Sequence, residues 1–267
     1  MQTVFVSGAF DNLQSRQVRF LQKAAYWGKV HVLLWSDQAA QRYEGRLPRY
    51  PEQERQYLLQ SLRFVHDLTL SGSLIESLPL TILSSGLCVI DEAEPTDIWD
   101  HFCQDHQLRK CVIKKEALVE FAAIPPAPQT NRKTVVVTGC YDWLHSGHVR
   151  FFEEVYQLGN VYVIVGSDQN VRLLKGDGHP LFGQEERRYL VGAIRHVTES
   201  LISTGSGWMD AAPEIEKLKP DIYAVNEDGD KPEKRDFCEQ RGIEYIVLKR
   251  TPKNGLVQRT STDLRGF

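Results

Sequence analysis

The sequence repeats itself, and this repeat fixes the number and the size of the folding units. Residues from Thr3 (TVFVSGAFDNLQSRQVRF) match residues from Thr134 (TVVVTGCYDWLHSGHVRF), with Gly8 opposite Gly139 at a constant offset of 131 positions. Between the copies lies the segment 124–129 (IPPAPQ), whose prolines disfavour a helix and are typical of a linker. We therefore predict two homologous domains, a first copy at residues 1–124 and a second copy at residues 132–267.

Each copy alternates short β-branched runs with longer helical patterns. In the second copy, continuous apolar runs predict buried parallel strands at 135–138, 161–165, 222–225 and 245–248. Helical spacing predicts helices around 149–156, at 185–197, at 213–218 and from about 232 to 241. This alternation predicts an α/β fold of two tandem doubly wound parallel sheets (Rossmann-like domains). Such sheets bind ligands at the carboxyl ends of their strands.

Composition excludes several classes of function. Lys and Arg number 32 against 35 Asp and Glu, a net charge of −3, which argues against a basic nucleic-acid or membrane surface. No apolar run approaches the ~18 residues of a bilayer span, and the first residues do not resemble a signal peptide. The five cysteines contain no Cys-x-x-Cys pair, which argues against disulfides and zinc. We therefore expect a cytoplasmic protein without nucleic-acid or membrane partners.

Two histidines follow the first strand of the second copy. The segment GCYDWLHSGH ends with His145 and His148, three residues apart, where the next helix should begin. A helix N-terminus attracts phosphate through its free N–H groups and its partial positive charge. Two imidazoles at this spacing would face one anion and donate hydrogen bonds to it. The alternative is that they are two unrelated surface histidines, because short motifs also match by chance.

The segment G-C-Y-D-x-x-H-x-G-H resembles the signature of the cytidylyltransferase-like nucleotidyltransferases. Further segments match in order: LKG at 174–176, FGQEER at 182–187, KRT at 249–251 and TSTDL at 260–264. The set is most similar to the ethanolamine-phosphate cytidylyltransferases, which are also tandems. The segments 175–180 and 230–233 are similar to bacterial heptose-phosphate adenylyltransferases. The resemblance implies an enzyme that joins the phosphate of a phosphorylated alcohol or sugar to the α-phosphorus of a nucleoside triphosphate and releases pyrophosphate.

The resemblance also implies the site residues. His145, His148 and Lys175 would be catalytic, and Arg187 would bind the triphosphate. The other expected nucleotide-binding residues are Thr138, Gly139, Cys140, Tyr141, Asp142, Gly147, Asn226, Glu227, Arg250, Thr260, Ser261 and Thr262. Mg²⁺ is the expected cofactor, because triphosphate transfer needs charge screening, and no residue is assigned to it as a ligand.

Several of these residues have simpler interpretations. Lys175 could be a solvated surface lysine, and the acidic turn at 226–230 could be a solvated turn. Asp142 is better suited to ordering a loop or assisting a metal than to binding phosphate. The hydroxyls at 260–262 suit an N-cap at a helix start, and a cap and a phosphate cradle share the same geometry.

The sequence leaves alternatives open for both the nucleotide and the class of activity. The matches at 139–142, 184–187 and 249–251 favour CTP, and the heptose-type segments make ATP the second choice. The loop 252–259 before Thr260 is longer than in the family. A non-catalytic nucleotide sensor, which binds nucleotide without releasing pyrophosphate, is the alternative of another class. A tRNA-charging domain is disfavoured, since no RNA-binding appendage is evident.

The first copy has lost the motif residues. Gln14, Arg16 and Gln17 stand where the second copy has His145, Gly147 and His148, and Glu44 replaces Lys175. Glutamine supplies no charge, and the arginine side chain occupies the place where glycine permits close phosphate approach. We predict that the first copy is catalytically silent. Because single-domain family members commonly pair as dimers, the resemblance implies an intramolecular pseudo-dimer, existing as a monomer or as a further homodimer.

Overall fold

The computed structural model of the protein describes residues 2–11, 13–72, 86–94, 96–105, 107–121, 124–261 and 264. The chain forms two compact units, Met1–Ala122 and Ala123–Phe267, which contain the first and the second copy respectively. Within the described ranges, no helix combines the length and the apolar character needed to cross a membrane.

The first unit is built on a five-stranded parallel sheet in the order β3-β2-β1-β4-β5. Its strands are β1 (Thr3–Gly8), β2 (Lys29–Trp35), β3 (Val65–Ser71), β4 (Leu87–Asp91) and β5 (Arg109–Ile113). Its described helices are α1 (Ser15–Ala24), α2 (Asp37–Glu44), α3 (Glu52–Ser61) and α4 (Thr96–Asp105). Phe5, Ile90 and Trp99 are buried together in a core between the sheet and α4, as expected for strands covered by helices.

The second unit carries a parallel sheet in the order β10-β9-β6-β7-β8. Its strands are β6 (Thr134–Gly139), β7 (Asn160–Val165), β8 (Glu199–Ile202), β9 (Ile222–Asn226) and β10 (Glu244–Leu248). Its helices are α5 (Ser146–Leu158), α6 (Asp168–Lys175), α7 (Gln184–Gly192), α8 (Ala212–Leu218) and α9 (Pro232–Arg241). In both units the first strand is central, with the second and third strands on one side and the fourth and fifth on the other. The predicted Rossmann-like α/β fold is confirmed.

The two copies also use the same local signals. Ser167 caps α6, its hydroxyl accepting from the N–H of Asn170, and Ser36 caps α2 by accepting from the N–H of Ala39. Serine is among the preferred N-cap residues because its oxygen satisfies an N–H that the helix leaves unpaired.

One predicted helix is too long, and two elements were not predicted. The predicted helix at 185–197 ends at Gly192, where the chain turns back so closely that a Cβ would lie 2.7 Å from Ser200 Oγ. Ala193, Ile194 and Val197 are buried in this turn, so they extend the apolar pattern beyond the helix. The short helix α6 and the half-buried edge strand β8 were missed because neither has a long apolar run.

Sheet topology positions a ligand site between β6 and β9. β6 pairs with β7 on one side and with β9 on the other, so the connections leave β6 and β9 towards opposite sides of the sheet. A crevice opens at the carboxyl ends of two strands related in this way. The histidine segment follows β6 directly and therefore lies at this crevice.

Candidate active site

A left-handed bend follows β6 and seats an aromatic ring beside the histidines. Tyr141 has φ of 53°, and Phe10 at the matching position of the first copy has φ of 47°. The ring of Tyr141 folds back over Gly139, where a Cβ would lie 2.8 Å from the ring. The buried ring of Tyr141 meets His148 edge-on, with centroids 5.2 Å apart. Gly139 is thus needed for this packing.

The two histidines are stacked at the N-terminus of α5. Their ring centroids are 3.9 Å apart, at an angle of 26°. His145 is the N-cap residue, is fully buried, and accepts from the N–H of Gly147 through Nδ1 at 3.1 Å. The proton of its neutral ring therefore resides on Nε2. His148 lines the adjoining cavity, whereas His145 does not, so His145 orients the ring that faces a ligand.

The surroundings of His148 keep its ring neutral. Burial, followed by the neighbouring His145, Arg250 and Lys175, lowers its pKa far below the ordinary value. An anion bound beside the ring would raise the pKa of His148. Arg250 and Lys175, which contribute to disfavouring a charged imidazole, would attract a phosphate through their own positive charges.

The lowered pKa of His148 predicts a pH-dependent stability of the second unit. The unfolded chain binds more protons than the folded chain below the ordinary pKa of 6.5, so stability falls as the pH decreases through that value. The expected loss is up to about 1.4 kcal/mol per pH unit.

Urea unfolding of wild type and His148→Gln, between about pH 7.5 and 5, measures this contribution. The stability of the wild type relative to the variant should decrease as the pH falls. The exposed His66→Gln is the control and should leave the slope unchanged. Equal slopes for wild type and His148→Gln would contradict a neutral buried ring.

Gly147 is required by the position of His145. A Cβ at Gly147 would lie 2.9 Å from His145 Cε1 and 3.0 Å from its Nδ1. We expect Gly147→Ala to displace the ring and to lower turnover by about 10- to 100-fold, because sub-ångström placement of a catalytic group matters that much. Gly183→Ala is the control, since only an Asp168 oxygen, at 3.9 Å, comes near a Cβ there. Comparable turnover of the two variants would show that the close contact is unimportant.

A cavity of about 400 Å³ lies at the carboxyl ends of β6 and β9. The predicted residues that line it are Thr138, Gly139, Cys140, Tyr141, Gly147, His148, Lys175, Asn226, Arg250, Thr260 and Ser261. Four predicted residues lie outside its wall: Asp142, His145, Arg187 and Glu227. Thr262 lies outside the described residues, and Thr260 and Ser261 do not begin a helix within them.

Asp142 orders a loop. Its Oδ1 accepts from the N–H groups of Leu181 and Phe182 at 2.8 and 3.0 Å. In the first copy Asp11 accepts from the N–H groups of Arg49 and Tyr50 in the same way. The carboxylate therefore fixes the loop before the helix that follows.

The expected triphosphate ligand Arg187 has a structural role. It is fully buried, and its guanidinium donates to the carbonyls of Phe182, Cys140 and Gly166 and to Asp168, at 2.6 to 2.9 Å. This geometry favours a structural role over the expected role as a phosphate ligand, because four of its five N–H donors already bind the protein. Arg55 in the first copy makes three equivalent contacts, to Tyr50, Ala9 and Asp37. The arginine therefore ties the strand end to the following helix in both copies.

The acidic turn at 226–230 holds Arg250. The N–H of Arg250 donates to Glu227 at 3.3 Å, and its guanidinium donates to Asp228 and to the carbonyl of Arg259, both at 2.8 Å. The bond to the carbonyl of Arg259 ties the long loop 252–259 to the strand end. The acidic residues therefore hold the arginine at the cavity edge.

Lys175 is the last residue of α6, and its side chain is exposed at the cavity. The helix stops there because Gly176 adopts φ of 83°. Within the described part of the chain no ion pair ties its ammonium group to a carboxylate. A flexible point charge of this kind can follow a phosphate as it moves.

Sequence reasoning missed part of the wall. Lys234, Asp210, Asn170 and Trp208 line the cavity but are dispersed over 65 positions of the sequence, without a motif. The only available signal was Pro232, which marks the start of α9. Lysine is ordinarily a surface residue, so the inward direction of Lys234 had no signature.

In the first copy an ion pair spans the matching crevice. A cavity of about 170 Å³ lies at the ends of β1 and β4. Arg16, in the place of Gly147, binds Asp91 at the end of β4 through two contacts of 2.5 and 2.6 Å. Gln14 and Gln17 form a capping box where the histidines would stand. At the positions where the second copy has its predicted phosphate site, the first copy therefore makes contacts inside the protein.

The second copy matches a known protein family, and the chain has relatives among known proteins. A family model described as cytidylyltransferase-like matches residues 136–253. The chain is 38% identical over 120 residues to the FAD synthase of Ferroglobus placidus, covering 44% of this chain and 75% of that protein. It is 33% identical over 127 residues to the FAD synthase of Methanothermobacter marburgensis, covering 45% and 76%.

Another relative is matched over only a part of its length. The bifunctional protein HldE of Pelobacter propionicus is 29% identical over 161 residues, which cover 58% of this chain but 32% of that protein. The chain therefore spans about a third of the length of this relative.

Proposed function

Because the chain belongs to the cytidylyltransferase-like family of nucleotidyltransferases, we propose that its second copy transfers a nucleotidyl group from a nucleoside triphosphate to a phosphorylated small molecule. An oxygen of the acceptor phosphate attacks the α-phosphorus. The bond from that phosphorus to the bridging oxygen breaks, and pyrophosphate leaves. The protein makes no covalent bond in this reaction, so positioning and charge stabilisation are its contribution.

The single observation that carries this proposal is the stacked histidine pair at the N-terminus of α5. His148 faces a cavity that also receives the cationic Lys175 and Arg250. Three donors therefore converge on one place at a helix N-terminus, which suits the charge that develops on a phosphate during transfer.

Each residue has a distinct role in this proposal. His148 donates to the α-phosphate, and His145 orients it. Gly147 permits the phosphate to approach the helix N-terminus, because it presents no side chain there. Lys175 and Arg250 balance the charge of the triphosphate and of the leaving pyrophosphate.

We propose ATP as the nucleotide donor. The motifs at 139–142 and 249–251 favour CTP on sequence alone, but the relatives do not support that preference. The two FAD synthases are named for a product that contains adenine. CTP is the alternative, and the experiment below distinguishes the two.

Mg²⁺ would accompany the nucleotide. Among the described residues no three His, Cys, Asp or Glu side chains are grouped to hold a metal ion. Mg²⁺ commonly binds through substrate phosphates and waters with few carboxylates. We propose that it enters as the complex with the triphosphate, whose charge it screens.

We propose that the first copy is catalytically silent and that the chain is a covalent pseudo-dimer. Support for silence comes from the Arg16–Asp91 ion pair and the capping box of Gln14 and Gln17. Light scattering tests the state of association: one chain per particle fits a self-contained pseudo-dimer, and two chains require a further interface.

Pyrophosphate release tests the proposed function. Wild type is incubated with Mg²⁺, with either ATP or CTP, and with glucose 1-phosphate, glycerol 3-phosphate or FMN as acceptor. Release that depends on both ATP and one acceptor supports the proposal, and release with CTP alone would move the protein to cytidylyl transfer. Nucleotide binding by calorimetry without pyrophosphate release from any pair would favour a nucleotide sensor.

A further inference from the structure

We propose that the ion pair between Lys253 and Glu153 anchors the loop 252–259 to α5 and thereby holds Thr260 and Ser261 at the phosphate end of the cavity. This inference rests on the proposed function and assigns a positioning role to two residues outside the cavity wall. Neither residue touches the nucleotide. They act through the loop, by reducing the entropy that is lost when the loop becomes ordered around a bound nucleotide.

The loop 252–259 connects the end of β10 to the cavity and has an exposed tip. Its exposed residues are Asn254, Gly255, Val257 and Gln258. The N–H of Leu256 donates to the carbonyl of Lys253 at 2.9 Å, and Gly255 in the turn so formed adopts φ of 83°. A turn with an exposed tip opens easily when little packs against it. Contacts with the rest of the unit therefore decide where this loop lies.

Lys253 attaches the first half of the loop to the middle of α5. Its Nζ donates to Glu153 Oε1 at 2.6 Å, and the two side chains are 40% and 22% exposed. Glu153 Oε2 accepts from Arg150 on the same helix at 3.0 Å, so the carboxylate itself is held in place. Salt screens a partly buried pair less than an exposed one. The pair therefore favours one position of the loop.

The second half of the loop ends at the N-terminus of α5. The carbonyl of Arg259 accepts from the guanidinium of Arg250 at 2.8 Å and lies 3.5 Å from the place that a Cβ of Gly147 would take. The loop and α5 also line a cleft between them. Thr260 and Ser261 follow directly in the chain and line the cavity at the ends of β6 and β9. The position of their hydroxyls therefore depends on the position of the loop.

The anchor acts before the nucleotide binds, and this predicts its kinetic signature. When a fraction of the molecules has the loop in place, the apparent dissociation constant equals the intrinsic constant divided by that fraction. Loss of the ion pair lowers the fraction and raises the apparent constant. Bound phosphates then hold the hydroxyls themselves, so turnover at saturating nucleotide is unchanged. A residue that contacts the reacting phosphate lowers kcat instead.

Lys253→Met and Glu153→Gln break the anchor from its two ends. Met keeps the length of the lysine stem without its donors, and Gln removes the negative charge. Lys253→Arg retains a cation that can bind the carboxylate and is the conservative variant. Glu154→Gln is the matched control, because Glu154 lies on the same helix, is 24% exposed and pairs with the same Arg150 at 2.7 Å.

Three measurements compare these variants with wild type. Calorimetry gives the affinity for ATP, CTP and inorganic triphosphate, each with Mg²⁺. Pyrophosphate release, with the nucleotide and acceptor that wild type uses, gives KM and kcat. The rate of trypsin cleavage after Arg259 reports opening of the loop, since cleavage of a transiently opened segment follows the population of the open form.

We expect Lys253→Met and Glu153→Gln each to raise the dissociation constant and the KM of the nucleotide by about 3- to 10-fold, the range for one net hydrogen bond. Inorganic triphosphate should lose affinity by the same factor, and cleavage after Arg259 should become faster. The kcat should change by less than about twofold. Lys253→Arg and Glu154→Gln should resemble wild type. The double variant should be no weaker than Lys253→Met, because both changes break one contact.

Unchanged nucleotide affinity in Lys253→Met and Glu153→Gln would overturn the inference, and normal pyrophosphate release by the same proteins would leave the proposed function intact. Equal losses in Glu154→Gln, additive losses in the double variant, or a loss confined to kcat would also overturn the inference alone. A wild-type protein that binds neither nucleotide nor inorganic triphosphate would overturn the proposed function, and the positioning role with it.

Discussion

Alanine in place of His148 is expected to lower turnover by about 10²- to 10³-fold, the usual loss when one donor to a developing charge is removed. The effect is large because His148 faces the cavity and His145 is placed to orient it. The measurement is pyrophosphate release at saturating nucleotide and acceptor, so that the loss is assigned to the chemical step.

Gln17→Ala is the matched control, because Gln17 occupies the same position in the first copy. Its Oε1 accepts from the N–H of Gln14 at 3.1 Å, so the variant should lose about 1 kcal/mol of stability through its cap and no turnover. His148→Ala activity within about tenfold of wild type would contradict the electrostatic role. Loss of activity in a folded Gln17→Ala protein would contradict a silent first copy.

Replacement of Arg187 by methionine is expected to destabilise the second unit by about 2–5 kcal/mol, because several backbone acceptors lose their side-chain donor. The change leaves the carbonyls of Phe182, Cys140 and Gly166, and Asp168, without the guanidinium that binds them. Arg187→Lys should recover little of this loss, since an ammonium group does not reproduce the planar fork of arginine. Thermal and urea unfolding measure both variants.

Arg188→Met is the control on the same helix. Arg188 forms an exposed i,i+3 ion pair with Glu185 at 2.8 Å, and such pairs contribute less than about 1 kcal/mol. Equal destabilisation by Arg187→Met and Arg188→Met would show that the buried network is unimportant. A fully stable Arg187→Met protein with weakened triphosphate binding would restore the assignment of Arg187 as a ligand.

The repeat allowed much of the fold to be predicted, because both copies retain the residues that the fold requires. Gly139, Asp142 and Arg187 have counterparts in Gly8, Asp11 and Arg55, and the counterparts make equivalent contacts in the first copy. The histidines, Gly147 and Lys175 have no such counterparts. A residue that is retained in the first copy, which lacks the histidine motif, is therefore expected to have a structural role. The sequence contained this signal for Arg187, because Arg55 stands at the matching position.

The direction of long cationic side chains could not be predicted. Arg187 lies in a charged run that suggests an exposed face, yet it is fully buried. Lys234 lies in another charged run and also turns inward. The periodicity of apolar residues predicts which face of a helix is buried, but it contains no information about a cation whose partners are backbone carbonyls from distant loops.

The ion pair across the crevice of the first copy has a consequence for any nucleotide that reaches it. Asp91 offers Arg16 two carboxylate oxygens, in the bidentate geometry that arginine uses for phosphate. Because both partners are fixed on one fold, their effective concentration reaches the millimolar range or higher. A free phosphate must compete with this tethered carboxylate, so the first copy carries its own competitive inhibitor as part of its polypeptide.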